Sequence, residues 1–191
     1  MKTKNPGETR GPRERLGIDI GRVLMCPANE DGRPDTSFLE GDDRSALEVP
    51  PAPGMFDVVP ALVSAFGGRV WLVSKAGPRI EKLTRRWLNH HQFHERTGLR
   101  PDRVRFCRKR EEKRVHAQAL ELTHFIDDRT DVLAHLQGLV PHLYLFGVQT
   151  GEIPSWTVHV IDWPAVAARF SVGDAQELGR HSLRQPHAVG G

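Results

Sequence analysis

The sequence predicts an α/β fold, a mostly parallel sheet with helices on both faces. Three observations predict it. Apolar runs of strand length, such as VWLV at 70–73, alternate with stretches whose apolar residues recur at helical spacing. The runs are apolar on both faces, as strands covered from two sides are. Polar residues then collect where the runs end: Asp19, Ser74 with Lys75, and Asp127 with Asp128.

Regular patterning begins near Leu16, so residues 1–14 read as a flexible arm. That arm is charged and no apolar segment follows it, which argues against a secretory signal. LGIDI at 16–20 is a short strand candidate. Residues 27–54 are rich in proline, glycine and acids without a sustained period, and read as an irregular loop or flap. MFDVVPALVSAFGG from Met55 is helical, with Gly67 and Gly68 as a stop. RVWLVSK is a strand ending in Ser74 and Lys75. In GPRIEKLTRRWLNHHQFHE, Pro78 stands near a helix start and Ile80, Leu83 and Trp87 fall on one face. RVRFC is a strand, KREEKRVHAQALEL a helix, and THFIDD a strand ending in two acids. RTDVLAHLQG is a helix with a glycine stop, HLYLFG a strand, and WTVHVIDWPAVAARF a strand followed by a short helix. The α/β domain therefore spans 15–172, and residues 173–191 read as a disordered tail.

At 191 residues the chain is one domain with polar ends, which account for part of its low hydrophobic share of 38%. A net charge of +3 excludes a molecule that is cationic throughout. The basic residues concentrate in RTGLRPDRVRFCRKREEKR at 96–114, either a solvated surface with local ion pairs or a rim that attracts anions. No aromatic interleaving suggests base stacking, so sequence-specific nucleic-acid recognition ranks well below an anionic substrate. Cys26 and Cys107 form neither a disulfide framework nor a metal pair and fit reduced thiols in the cytoplasm. No apolar run approaches the roughly 18 residues of a membrane span. His90 and His94 stand at i, i+4 beside His91, but no acid or cysteine completes a zinc set. Trp71, Trp87, Trp156 and Trp163 are expected in the core or at its rim.

Ligands of parallel sheets sit beyond the carboxyl ends of the strands. The residues delivered there are Asp19 with Gly21 and Arg22, then Ser74 and Lys75, then Asp127 and Asp128, with Lys113 ahead of the last strand. Physically this is a set for handling phosphate with a divalent cation. Carboxylates suit Mg²⁺, which prefers oxygen ligands. A hydroxyl and an ammonium can hold phosphoryl oxygens as charge develops, and Asp19 can attack phosphorus. Each residue also has a plainer reading: Asp19, Ser74 and Asp128 as helix caps or turn residues, Lys113 as part of a solvated helix face. Lys75 and Lys113 compete for the lysine position.

The ordered series LGIDIGRVL, VWLVSK, Lys113 and THFIDDRTDVLAHL, over about residues 14–150, resembles the four motifs of the haloacid dehalogenase-like (HAD) hydrolase superfamily. The resemblance implies a Rossmann-like core and a magnesium ion. By it, Asp19 is the nucleophile, Ser74 the phosphate-binding hydroxyl, Lys113 the charge-neutralising lysine, and Asp127 and Asp128 metal acids. Lys75 and Arg22 are further candidates for substrate binding. Neither inter-motif gap looks like a folded cap, so the resemblance implies an open site. That favours a larger or protein-borne substrate, or closure by a partner subunit of a homo-oligomer; the substrate classes expected are a phosphorylated small molecule or a larger anion.

The chain departs from that pattern at Gly21. Family phosphatases carry there a second aspartate that protonates the leaving oxygen and then activates water. A glycine carbonyl can still ligate magnesium, so the loss falls on proton transfer, typically worth about 10²–10⁴-fold. Three outcomes are open: a substrate with a good leaving group, an acid supplied by another group such as Asp31, Asp35, Glu40, Asp42 or Asp43, or a protein that binds a phosphorylated ligand and hardly turns it over.

Overall fold

The structure, a computed structural model, describes residues 13–25 and 43–172. Its elements run β1 (Leu16–Ile18), α1 (Asp43–Glu48), α2 (Met55–Ala65), β2 (Val70–Lys75), α3 (Pro78–His90) and α4 (Phe93–Thr97). A 3₁₀ turn at Pro101–Arg103 leads into β3 (Val104–Cys107), α5 (Lys113–Ala119), β4 (His124–Asp127) and α6 (Thr130–Leu136). The chain continues through β5 (His142–Phe146), β6 (Val158–Val160) and α7 (Trp163–Phe170).

The six strands form one sheet in the order β3-β2-β1-β4-β5-β6, every pairing parallel. The order reverses at β1, whose neighbours are β2 on one side and β4 on the other. A crevice opens at such a reversal because the two crossovers leave in opposite directions. Leu16 pairs with Val70 and with His124, so the central three strands start level, and β2 runs on to Lys75 beyond the end of β1.

Side chains alternate between two buried layers, as pleated strands require. On one face Leu16, Ile18, Leu72 and Ile126 pack with Leu62 and Phe66, Trp87 of α3, and Trp163 and Phe170 of α7. On the other, Trp71, Val73, Phe125 and Leu145 pack with Ala117 of α5 and Leu133 and Leu136 of α6. Gly17 is dictated by this second layer, because a Cβ there would stand 2.5 Å from a ring carbon of Phe125. Trp87 and Trp163 lie in the core, each donating its indole N–H to a backbone carbonyl: Val49 at 2.7 Å and Val23 at 2.9 Å. Trp71 is buried, whereas Trp156 is exposed and belongs to neither core layer.

Two local readings change. The span 27–54 is not irregular throughout. Its described part contains α1, where buried Ala46 and the carbonyls of Leu47 and Val49 dock on His91 and Trp87. Tertiary contact gives a six-residue helix stability that its own sequence lacks. The helix expected from Lys109 begins only at Lys113. Ahead of it the chain turns, and Glu112 accepts the backbone N–H groups of Arg108 and Lys109 at 2.9 and 3.1 Å. Cys26 and the arm, tail and middle of the loop lie outside the described residues.

Candidate active site

Asp19 directly follows β1, and its backbone N–H donates to the Ile126 carbonyl of β4 at 2.9 Å. That bond sets Asp19 beside Asp127, the last residue of β4. Lys113, the first residue of α5, reaches both carboxylates: its Nζ lies 2.8 Å from Asp19 Oδ1 and 2.7 Å from Asp127 Oδ2. All three side chains are buried. Asp127 uses its other oxygen to accept the Arg129 N–H at 3.0 Å, which shapes the turn into α6. Asp128 is next in the chain, and its Oδ2 lies 2.6 Å from a guanidinium nitrogen of Arg22. Asp19, Asp127 and Asp128 each offer a carboxylate oxygen, and these oxygens lie within 4.8 Å of one another.

The charge balance of this cluster is informative. Three carboxylates face two cations, Lys113 and Arg22, which leaves one negative charge uncompensated in a buried place. Burying unpaired charge is costly, so the site calls for a proton or a further cation. The titration directions agree. Burial pushes the Asp128 carboxyl up to about 6, with Asp19 adding to the rise and Arg22 opposing it. Burial likewise raises Asp127 against the pull of Lys113. Burial also works against the charged form of Lys113, but Asp19 and Asp127 outweigh it and hold the ammonium above its ordinary range. A hard, oxygen-seeking dication fits such a donor set. Asp19 Oδ1 adds to the fit, since it is buried and makes no aligned hydrogen bond despite its short contact with Lys113.

The plainer readings of these residues do not match the geometry. Lys113 is buried between acids rather than solvated. Asp128 does not cap α6, whose N-cap is Arg129, and Ser74 does not cap α3, whose N-cap is Gly77. Ser74 is buried at the end of β2, and its hydroxyl makes no hydrogen bond with a described residue. Lys75 is exposed beside it. Neither contacts the acids, so the structure assembles Asp19, Arg22, Lys113, Asp127 and Asp128 and leaves Ser74 and Lys75 at the next strand end.

Gly21 is exposed, and an ideal Cβ on it would lie 3.9 Å from Asp19 Oδ2, an ordinary contact. A side chain there would point toward the nucleophile candidate without strain. Of the acids considered as substitutes, Asp43 is ion-paired with Arg86, and the other four lie outside the described residues. In the NHHQFH stretch, His91 Nε2 contacts the Leu47 carbonyl and His94 Nδ1 the Leu99 carbonyl.

Three neighbours went unread in the sequence. Cys107, paired with Lys75 in the sheet, lies close enough to feel the charges of Lys113 and Asp19, but burial pushes its thiol up to about 11 and keeps it neutral. Gln149 donates from Nε2 to the Phe146 carbonyl at 2.8 Å and the Asp128 carbonyl at 3.3 Å, bracing the end of β4. Glu112 braces the turn before Lys113.

No family model matches the sequence, and no curated protein matches it. The fold does match. A solved structure of a haloacid dehalogenase-like family hydrolase from Xanthomonas campestris superposes with a TM-score of 0.50 at 14% identity. The match covers 87% of this chain and 98% of that one. The chain thus shares the fold of that hydrolase, a six-stranded parallel Rossmann-like sheet with helices on both faces.

Proposed function

We propose that this chain is a magnesium-dependent hydrolase that takes a phosphoryl group from an anionic substrate onto Asp19. The observation that carries the reading is the trio of carboxylates gathered within 4.8 Å around one unbalanced negative charge. Asp19, Asp127 and Asp128, with the Gly21 carbonyl, are the residues to hold the cation. When bound, the cation offsets repulsion between the Asp19 carboxylate and the phosphoryl oxygens. Lys113 fixes the Asp19 carboxylate in place. Ser74, Lys75 and Arg22 supply donors for phosphoryl oxygens. In the first step an Asp19 oxygen bonds to phosphorus and the bond to the leaving oxygen breaks, that oxygen keeping the electron pair. Water then attacks phosphorus, restores the carboxylate and releases phosphate. One of its protons goes to the phosphate and the other to solvent.

Gly21 directs the choice of substrate. With no carboxyl in that place, the leaving oxygen departs unprotonated, which suits acyl phosphates and pyrophosphates over alkyl esters. Between β1 and β2 the described residues hold only α1 and α2, and between β2 and β3 only α3, α4 and a short turn. Nothing there forms a separate cap, in keeping with a mouth open to large substrates. The same glycine supports a second reading, a phosphate-binding protein with little turnover.

Hydrolysis of acetyl phosphate and p-nitrophenyl phosphate, with Mg²⁺ or EDTA and with Asp19→Asn as control, separates the two. Magnesium-dependent turnover of acetyl phosphate, lost in Asp19→Asn, supports the hydrolase. Phosphate binding without turnover of either substrate supports the binding protein.

A further inference from the structure

Within the reading of this site as a cation and phosphate centre, one residue is arranged unlike the rest. Lys113 is saturated, its ammonium between two buried carboxylates. Asp127 is saturated as well, by Lys113 and the Arg129 N–H. Asp128 has a single described side-chain partner, Arg22, through one guanidinium nitrogen. That pair has a closed end and an open end: the Asp128 side chain is 10% exposed and the Arg22 side chain 40%. The other guanidinium donors of Arg22 meet no described residue.

Arg22 is also held in an unusual backbone conformation. Its φ is +56°, left-handed and uncommon for a residue other than glycine. The turn around it explains why it persists. The Leu24 N–H donates to the Ile20 carbonyl at 3.0 Å, and the next carbonyl, Val23, accepts the indole N–H of buried Trp163 at 2.9 Å. The backbone is thereby fixed so that a long flexible side chain spans from the end of β1 to the end of β4, across the mouth of the site.

We propose that Arg22 couples the two occupants of this site: its guanidinium balances Asp128 until a cation takes that carboxylate, and is then released to the substrate's phosphate. The charges support it. Three carboxylates are balanced in full by Lys113 and one dication, so Arg22 becomes a surplus positive charge. Its planar fork of donors matches phosphoryl oxygens in a way a lysine does not. Arg22 is thus a counter-ion in the cation-free protein and a phosphate ligand in the loaded one, and the two affinities are linked.

Calorimetric titration tests this without turnover, using Mg²⁺ alone, inorganic phosphate alone, and phosphate at saturating Mg²⁺. Arg22→Gln is expected to bind Mg²⁺ several-fold tighter than the wild type, since a competing counter-ion is gone. It should bind phosphate about tenfold more weakly at saturating Mg²⁺, the scale of one charge-assisted hydrogen bond. Arg22→Lys should recover part of both effects. Asp128→Asn provides an independent arm: with Arg22 freed, phosphate binding without Mg²⁺ should rise, and Arg22→Gln added to it should abolish the rise. An Arg22→Gln protein that binds Mg²⁺ more weakly, or binds both ions as the wild type does, overturns the coupling and leaves the hydrolase reading intact. A wild type that binds no Mg²⁺ overturns both.

Discussion

Replacing Lys113 by methionine tests the cluster most directly, because the two side chains are similar in length and differ in charge. The Lys113 side chain is 3% exposed, that of Asp127 fully buried, and that of Asp19 8% exposed. Lys113→Met therefore strands two carboxylates, one out of reach of water and one nearly so. Removing one partner from a buried ion pair costs about 3–5 kcal/mol. For a domain of this size, at roughly 3 °C per kcal/mol, the midpoint of thermal unfolding should fall by about 10 °C or more at pH 7.5. The loss has a pH signature. Asp127 is already raised by burial, so with the ammonium gone it takes up a proton as pH falls and the stranded charge disappears. The deficit should thus narrow markedly at pH 5, and Mg²⁺ at pH 7.5 should narrow it too. Urea unfolding of both proteins at pH 5 and 7.5, with EDTA or Mg²⁺, measures it. A deficit below about 1 kcal/mol at pH 7.5, or one equal at the two pH values, would refute the view that Lys113 balances these acids.

Gly21→Asp should raise turnover of alkyl phosphates by about 10²-fold or more in steady-state assays, because the position is open and points at Asp19. Gly17→Ala should destabilise the fold by about 1–3 kcal/mol in urea unfolding, since the new methyl meets the Phe125 ring. Asp128, raised to about 6, contributes stability that is fully present below the unfolded-state value near 4 and is lost as pH rises through 6. In EDTA the wild type should therefore lose stability relative to Asp128→Asn between pH 4.5 and 7, and Mg²⁺ should remove the difference. Thermal scans of the two proteins across that range report it.

The strand ends were legible because buried parallel strands leave a plain trace, an apolar run stopped by a polar residue. Asp19, Asp127 and Asp128 could be placed at such ends from sequence alone. The choice between Lys75 and Lys113 could not, since two lysines near strand ends look alike until burial separates them. Helix α1 was hidden because its stability comes from docking on Trp87 and His91, not from its own six residues. The strand order was hidden too, since pairing β1 with β4 is a contact between distant parts of the chain. The Arg22–Asp128 pair depends on a left-handed φ that arginine does not advertise.

The pairing of β1 with β4 also bears on biosynthesis. The Arg15 N–H reaches the Thr123 hydroxyl across 108 positions of sequence, and the acidic trio is split in the same proportion. A nascent chain that has released its first hundred residues carries Asp19 with neither its lysine nor its fellow acids. The three acids can come together only late in translation, when the fourth strand pairs with the first. Fragments ending before that strand carry one acid of the three and none of their convergence.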